Sequence, residues 1–230
     1  MDASLWIAKT GLTAQQTRMS VISNNLANVN TTGFKKDRAV FEDLLYQNIV
    51  PAGGQVDAES ETPTGLMLGT GTRVVATEKL HAQGNIITTE NALDLAISGD
   101  GYFSVQQADG TIAYSRDGSF KLSADGNMVT AGGQTLLPAI TVPQNAASLT
   151  IGRDGIVTVE LANGGGASQI GQLQLSRFVN NSGLQPIGRN LLQQTNASGD
   201  PLVVLPGADG AGMLMQGALE ASNVNVVEEM

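Results

Sequence analysis

Apolar residues near the N-terminus of the chain follow a seven-residue rhythm. They step alternately by three and four positions, with Gln15 as the polar member of the series: Leu5, Ala8, Leu12, Gln15, Met19, Ile22, Leu26 and Val29. This spacing predicts a helix over residues 3–28 whose apolar seam lies along another helix, as in a coiled coil. At about 1.5 Å per residue, such a helix is roughly 39 Å long.

A second apolar stripe marks a different face of the same predicted helix. Ile7, Ala14 and Val21 repeat every seven residues. A helix of this length is only marginally stable alone in water, whereas burying each large seam side chain contributes about 1.5–3 kcal/mol. We therefore expect neighbours on more than one side and a partner molecule on the seam. The alternative is a single amphipathic helix that packs on its own domain.

Asparagines crowd the end of the predicted helix. They stand at four positions within seven residues: Asn24, Asn25, Asn28 and Asn30. Asn tolerates the left-handed conformation and bonds nearby backbone, so the cluster predicts the helix end, followed by a turn at Gly33 and an apolar anchor at Phe34. Two interpretations of the amides stay open: simple fraying of the helix, or hydrogen bonds between neighbouring subunits.

A segment of mixed pattern, residues 34–72, connects the helix to the rest of the chain. Its middle contains Pro51, paired glycines at 53 and 54, and an acidic patch at Asp57, Glu59 and Glu61. Long connections without regular structure are uncommon in compact domains. We therefore predict an extended arm over about residues 46–63, with a mobile surface loop as the alternative.

Short apolar alternations fill residues 73–221. Three Asp-Gly pairs recur there every eight residues: Asp109-Gly110, Asp117-Gly118 and Asp125-Gly126. Asp-Gly between alternating runs is a strong hairpin signal, because both residues accept positive φ. Further strands are predicted over 148–151, 156–159 and 172–175. The fold class is therefore mainly β with a terminal α-helix: an antiparallel, hairpin-rich domain, sandwich- or barrel-like, plus the coiled-coil-type helix and the arm.

The last residues, 222–230, have the pattern of a helix that begins. Asn225 can cap it, and Glu228 and Glu229 stand where the helix dipole favours negative charge. The sequence stops after about one turn, which leads us to expect a shortened chain. The predicted division is thus 1–33, 34–72, 73–221 and 222–230.

Composition narrows the classes of partner. The net charge of −9 argues against nucleic acid and anionic lipid. Only 14% of residues are charged and 28 are glycine, which fits a turn-rich β protein that presents wide surfaces to copies of itself. There is no cysteine, no secretory signal pattern and no apolar run of membrane-spanning length. Taken alone, these features indicate a cytoplasmic chain without membrane insertion.

Catalytic and metal-binding patterns are sparse. His81 is the single histidine, so neither a histidine metal cluster nor a well-supported Ser-His-Asp triad can be assembled. The Asp-Gly pairs lack the alternating ligands of calcium loops, and no pair among the acids stands out for glycoside hydrolysis. We expect no enzyme activity, no cofactor and no metal.

Several motifs resemble those of a known family, the bacterial flagellar rod and hook axial proteins. They occur in the family's order along almost the whole chain: Ser23-Asn24-Asn25-Leu26-Ala27-Asn28 with Thr32-Gly33-Phe34-Lys35, Ile97-Ser98-Gly99-Asp100-Gly101-Tyr102-Phe103, Ser115-Arg116-Asp117-Gly118-Ser119-Phe120, and Ser222-Asn223-Val224-Asn225. Within the family, residues 5–12 and 39–47 look like those of distal rod subunits. Residues 46–63 resemble an insertion thought to form a stiff arm that locks neighbours together.

The resemblance implies a structural subunit that polymerises helically with copies of itself and transmits torque. Its implied partners are other rod proteins, the hook, the surrounding ring proteins and the flagellar export apparatus. It also implies export without a cleaved signal and a periplasmic location in the basal body. The family continues into a long second helix after Asn225, where this chain stops.

The seam and the matched motifs together define a candidate assembly interface. Its members are Leu5, Leu12, Met19, Ile22, Asn24, Asn25, Leu26, Asn28, Gly33, Phe34, Lys35, Asn223 and Asn225. Alternative functions are a proximal rod or hook subunit of the same family. From another class, a secreted β-rich adhesin or polysaccharide-binding protein would explain the polar, Gly-rich body but not the heptad.

Overall fold

The structure is a computed structural model that describes residues 3–53, 55–57, 60, 61, 64–162 and 166–229. The chain divides into two compact units. The first consists of Met1–Leu26 and Asp37–Lys79, and the second of Ala27–Lys36 and Leu80–Met230. The four-part division made from the sequence remains a prediction.

Helix α1 (Ala3–Ala27) begins the first unit, and its bounds agree with the predicted helix over residues 3–28 to within one residue. The sequence also places Asp2 where its carboxylate can cap the first turn, but this residue lies outside the described ones. Ala14, from the second apolar stripe, is buried, while Val21 of that stripe is half-buried and Ile7 is at the edge of exposure. The second stripe therefore includes the most covered apolar position of the helix.

Six strands follow in the first unit. They are β1 (Asp37–Asp43), β2 (Tyr46–Val50), β3 (Gln55–Asp57), β4 (Ser60–Glu61), β5 (Leu66–Gly69) and β6 (Thr72–Lys79). All three strand pairs are antiparallel: β1 with β6, β2 with β5, and β3 with β4. The unit is thus built from α1, one longer two-stranded ladder and a narrow ribbon.

The second unit holds most of the strands. They are β7 (Ile86–Thr88), β8 (Leu95–Ser98), β9 (Phe103–Gln106), β10 (Ile112–Ser115), β11 (Phe120–Leu122), β12 (Met128–Thr130), β13 (Thr135–Leu137), β14 (Ala146–Ile151), β15 (Ile156–Leu161), β16 (Ser168–Gln172), β17 (Leu175–Arg177), β18 (Gln185–Gly188), β19 (Leu191–Gln193), β20 (Leu202–Val204), β21 (Met213–Gln216) and β22 (Ala218–Glu220). A single 3₁₀ turn occupies Asn181–Gly183, and a second short helix, α2, spans Val226–Glu229.

These strands form antiparallel sheets around one main core. The largest sheet has the order β11-β12-β13-β9-β10-β19-β18, and β14-β15-β16 form a second sheet; β17 pairs with β20, β21 with β8, and β22 with β7. Phe103 and Phe120 meet edge to face in the core, with ring centroids 5.1 Å apart. The prediction of a mainly β, antiparallel fold with terminal helices is confirmed.

Two of the three Asp-Gly pairs form the predicted hairpins. Gly110 turns the chain from β9 into β10 and Gly126 turns it from β11 into β12, both with positive φ. At Gly118 the hairpin prediction is wrong, because β10 and β11 lie at different positions in the sheet and do not pair. Gly118 instead lies against the backbone of Leu95, whose N–H donates to its carbonyl oxygen at 3.0 Å.

The prediction of one continuous strand over 172–175 is wrong. Strand β16 ends at Gln172 and β17 begins at Leu175, so the chain changes sheets between them. Leu173 and Leu175 are both buried, which explains the alternation. Leu173 lies in the connection between β16 and β17, and Leu175 begins β17, so the buried alternation does not come from one continuous strand. Within the part of the chain that the structure describes, no helix has the length and apolar content needed to cross a membrane.

Candidate assembly surface

The heptad seam of α1 is exposed. Large apolar side chains along it leave much of their surface open to solvent: Leu5 67%, Leu12 73%, Met19 61% and Leu26 41%. Ile22, from the same series, is half-buried. A row of four large apolar residues one or two turns apart on a helix is costly to leave in water. The seam therefore has the geometry of a surface that binds another helix.

The opposite face of α1 is covered by its own unit. Ala14 lies in a groove that is also lined by Thr10 and by Thr72 and Val74 of β6. The Thr72 N–H donates to Thr10 Oγ1 at 3.4 Å. Gly71 has φ near 121°, and a Cβ on it would overlap the Thr10 hydroxyl. The second stripe packs on its own chain at Ala14, whereas the large side chains of the seam stay open to a further neighbour.

Asn25 joins the end of α1 to the first strand. Its Nδ2 donates to the Asp37 carbonyl at 2.9 Å, and its Oδ1 accepts the Asp37 N–H at 2.9 Å. Asn24 Nδ2 lies 3.4 Å from Asp37 Oδ2, and Thr31 Oγ1 donates to Asn28 Oδ1 at 3.2 Å. The amides are thus engaged within the chain, an outcome that neither sequence interpretation included. Their role between subunits remains a prediction.

A buried group of charges follows the helix, in the second unit. Lys35 Nζ donates to Glu220 Oε1 at 2.6 Å and to the Ala82 carbonyl at 2.8 Å. Arg116 Nε donates to Glu220 Oε2 at 2.9 Å. Burial lowers the pKa of the Lys35 ammonium, an effect that the Glu220 carboxylate opposes. The sequence placed Lys35 in the assembly interface, but the structure gives it a contact inside its own chain.

Gly33 is held against the strand-connecting segment 115–118. Its N–H donates to the Glu220 carbonyl at 2.8 Å, and a Cβ on it would come within 2.6 Å of the Asp117 nitrogen. Its φ of 68° also disfavours any residue with a side chain. Thr32 Oγ1 donates to Asp117 Oδ1 at 3.1 Å. The turn at Gly33 therefore docks within its own chain, and this docking requires glycine.

Asn223 connects three separate parts of the second unit. Its Oδ1 accepts the Lys36 N–H at 2.7 Å, and its Nδ2 donates to the carbonyls of Leu80 and Ala82 at 2.8 and 3.1 Å. Its own N–H donates to the Phe34 carbonyl at 3.4 Å. The segment after α1 and the segment before α2 are thereby fastened to each other.

Asn225 caps α2, as the sequence predicts. Its Oδ1 accepts the Val227 N–H at 3.1 Å, and its carbonyl accepts the N–H of Glu228. Lys36 Nζ lies 3.5 Å from Glu228 Oε2. Val227 on the same turn leaves 85% of its surface exposed. The start of α2 thus presents an apolar residue to solvent next to its acidic first turn.

The ribbon of β2 and β5 in the first unit is apolar and exposed on both faces. Its exposed apolar side chains are Tyr46, Ile49, Val50, Leu66, Met67 and Leu68, and Leu45 just before β2 is exposed as well. A pair of strands without a third partner has two free edges and no core of its own. The ribbon covers part of the predicted arm, whose residues 54, 58, 59, 62 and 63 lie outside those described.

His81, the single histidine, contacts Tyr102 in the second unit. Its Nδ1 lies 2.8 Å from the Tyr102 hydroxyl, and the two rings meet edge to face at 5.9 Å. Burial raises the pKa of Tyr102. Among the described residues, no three acidic or histidine side chains are grouped so that they could hold a metal ion. The arrangement around His81 offers packing and a hydrogen bond.

The central residue of the buried charge group, Glu220, is not part of any of the sequence motifs. It ends a short strand whose other residues, Ala218 and Leu219, are apolar. Lys35 and Arg116, which do belong to motifs, are 81 positions apart along the chain. A carboxylate that directly follows two apolar strand residues is the one local signal for its burial.

Two family models match parts of this chain. The family model for flagella basal body rod proteins matches residues 5–35, and that for the flagellar hook protein FlgE/F/G D1 domain matches residues 96–159. The first match covers the seam and Lys35, and the second covers Arg116.

Full-length relatives are similar over the whole chain. The flagellar basal-body rod protein FlgG of Buchnera aphidicola subsp. Schizaphis graminum is 54% identical over 230 residues, which is 100% of this chain and 88% of that protein. The proteins of the same name from Borreliella burgdorferi and Bacillus subtilis are 44% and 38% identical, again over 100% of this chain and 88% of theirs. A solved structure, the hook protein FlgE2 of Helicobacter pylori, is 16% identical with a TM-score of 0.27 over 70% of this chain and 47% of that one, too weak a similarity to define the fold. On the evidence of the full-length relatives, the chain belongs to the family of flagellar basal-body rod proteins FlgG.

Proposed function

We propose that the chain is a structural subunit of the flagellar distal rod, the shaft that transmits torque from motor to hook. It assembles helically with copies of itself. The exposed seam of α1 is the observation that carries this proposal, because an enzyme or an independent binding domain has no use for it. Family membership supports the same function through the names of the relatives.

The energetics of the seam favour assembly. Covering one large apolar side chain contributes about 1.5–3 kcal/mol, so four of them supply a sum comparable to the stability of a whole domain, ~5–15 kcal/mol. Association also costs several kcal/mol in lost motion. A seam of this length exceeds that cost when repeated contacts are made along a polymer.

The proposal extends to partners and location. As a rod subunit, the chain contacts other rod proteins, the hook and the surrounding rings, and reaches the periplasmic part of the basal body through the flagellar export apparatus. Residues 1–33 and 222–230 act as assembly segments on either side of the β domain at 73–221. The role is structural and requires neither a cofactor nor catalysis.

Removal of residues 1–30 tests this function. We expect the truncated chain to keep the far-ultraviolet circular dichroism of its β-sheets and to lose sedimentable polymer, because the seam is gone while the main core in the second unit is intact. The full chain, which we expect to form sedimentable polymer under the same conditions, is the control. A truncated chain that still formed rods would contradict the proposal, and one that kept binding to a polysaccharide surface would favour the adhesin.

The arm has a separate proposed role. Its ribbon exposes apolar side chains on both faces, so we propose that it docks on neighbouring subunits and stiffens the rod. Deleting residues 46–63 should leave polymers that form but bend, with a persistence length several-fold shorter in electron micrographs. Equally straight polymers from the deleted and the full chain would contradict this role.

A further inference from the structure

Glu220 stands at the centre of a buried group of charges that includes no residue of the seam of α1. Its side chain is fully buried. The two carboxylate oxygens accept three hydrogen bonds, from Lys35 Nζ at 2.6 Å, from the Gly84 N–H at 2.8 Å and from Arg116 Nε at 2.9 Å. One anion thus balances two cations away from water.

The members of this group are not equivalent. Without Glu220, the ammonium of Lys35 and the guanidinium of Arg116 would both remain buried without their anion, and an uncompensated buried charge is strongly destabilising. Without Lys35, Arg116 and Glu220 still form a neutral pair. Arg116 is further held by the carbonyls of Gly99 and Gly101, at 2.9 and 2.6 Å. Glu220 is therefore the residue on which the group depends.

Glu220 also connects two segments that adjoin the helices, one after α1 and one before α2. Its backbone carbonyl accepts the Gly33 N–H, and its side chain binds Lys35. Both contacts hold the segment 31–36, which follows α1, against the second unit's β-strand residue Glu220. Residues 221–225, which precede α2, come directly after it. Asn223 of that segment donates to the Phe34 carbonyl and accepts the Lys36 N–H. Each segment supplies part of the surface on which the other docks.

We propose that Glu220 is a positioning residue for assembly, which docks segments 31–36 and 221–225 as one cooperative unit. Neither segment docks without the other. The inference deepens the proposed function and rests on it only where assembly is concerned. A helix whose base is already ordered loses less conformational entropy when it binds a partner. Segment 31–36 follows α1 in the chain, so we expect its ordering to lower the concentration at which the seam can assemble.

Hydrogen exchange on Glu220→Gln tests the coupling. This change keeps the side-chain shape and removes the charge. In the full chain we expect exchange protection in segments 31–36 and 221–225 to fall together by at least tenfold, while β9 and β13 in the main core keep theirs. Lys35→Met is the matched control. The loss of protection that it causes in the same two segments should be several-fold smaller than that in Glu220→Gln. Loss in one segment alone, or an equal loss in every strand, would overturn the proposal.

A second variant covers the case in which Glu220→Gln does not fold. Asn223→Ala leaves the charges intact and removes the bonds to Lys36, Leu80 and Ala82. The same two segments should lose protection together, and independent loss of only one would overturn the coupling.

Assembly measurements separate this inference from the function on which it builds. The critical concentration for sedimentable polymer should rise at least tenfold in Glu220→Gln, although Glu220 does not lie on the seam. An unchanged critical concentration would overturn the positioning role. If the unaltered chain formed no polymer, the proposed function would fail, while the exchange result would still decide whether the two segments are coupled.

Discussion

A Leu12→Asp subunit will fold normally and fail to polymerise. Leu12 leaves 73% of its surface exposed in the isolated chain, so its replacement changes the free energy of unfolding by only about 0.5 kcal/mol. In the polymer the same change removes about 1.5–3 kcal/mol of apolar burial and adds several kcal/mol for an unpaired buried carboxylate. With tenfold in affinity per ~1.4 kcal/mol, the critical concentration should rise at least ~1000-fold.

Ser20→Asp is the matched control for that experiment. Ser20 is exposed on the same helix but does not belong to the seam, and its hydroxyl donates only to the Gln16 carbonyl. It adds the same charge to α1, so it separates the effect of the seam from that of charge alone. Polymerisation would be followed by sedimentation and folding by circular dichroism. Normal assembly of Leu12→Asp, or equal loss in both variants, would show that the seam is not the assembly surface.

The long helix was predictable because its pattern is local and strong. Seam positions such as Leu5 and Leu12 recur at heptad spacing, and no tertiary contact is needed to specify the period. The sequence also separated the two stripes correctly into different faces. Which stripe the chain covers itself could not be predicted, because that depends on β6, whose Thr72 lies far along the chain from Thr10.

The candidate interface stays a prediction. Leu5, Leu12, Met19 and Leu26 of the seam are exposed, whereas Lys35 and Asn25 are buried within their own units. A motif shows only that a residue type is required at a position. Whether its contact is to its own chain or to a neighbour depends on residues such as Glu220, 185 positions from Lys35, whose approach no local pattern specifies.

Asp-Gly pairs show the same limit at a single turn. The hairpin signal reports that Gly110 and Gly126 accept positive φ, which they do. Gly118 does not have a positive φ. Glycine is needed there because the Leu95 backbone leaves no room for a Cβ. Its neighbour Asp117 binds the Ser119 N–H at 3.0 Å and the Thr32 hydroxyl. Asp117-Gly118 thus forms part of the site on which the segment after α1 docks. Its role is a tertiary contact, although its sequence is typical of a hairpin turn.

Gly118→Ala should therefore be strongly destabilising, and more so than Gly110→Ala. A Cβ at Gly118 would overlap the Leu95 carbonyl oxygen, and backbone has no rotamer by which to move away. Relief requires a backbone shift, at about 1–3 kcal/mol, and breaks the bond from the Leu95 N–H to the Gly118 carbonyl, at about 1 kcal/mol more. We expect the free energy of unfolding to fall by roughly 2–4 kcal/mol, a large fraction of the ~5–15 kcal/mol typical of a domain.

Gly110→Ala distinguishes this overlap from ordinary turn strain. Gly110 has φ near 83° and nothing within 4 Å of an added Cβ, so the substitution should cost only the left-handed conformation, about 1–2 kcal/mol. Chemical denaturation followed by near-ultraviolet circular dichroism of the buried Tyr102 and Tyr114 reports on the second unit, because the single tryptophan, Trp6, is in α1. Equal losses in the two variants would mean that Gly118 is needed for its turn alone. A larger loss at Gly118 would mean that the close approach of two backbone segments, rather than a hairpin, is what this position requires.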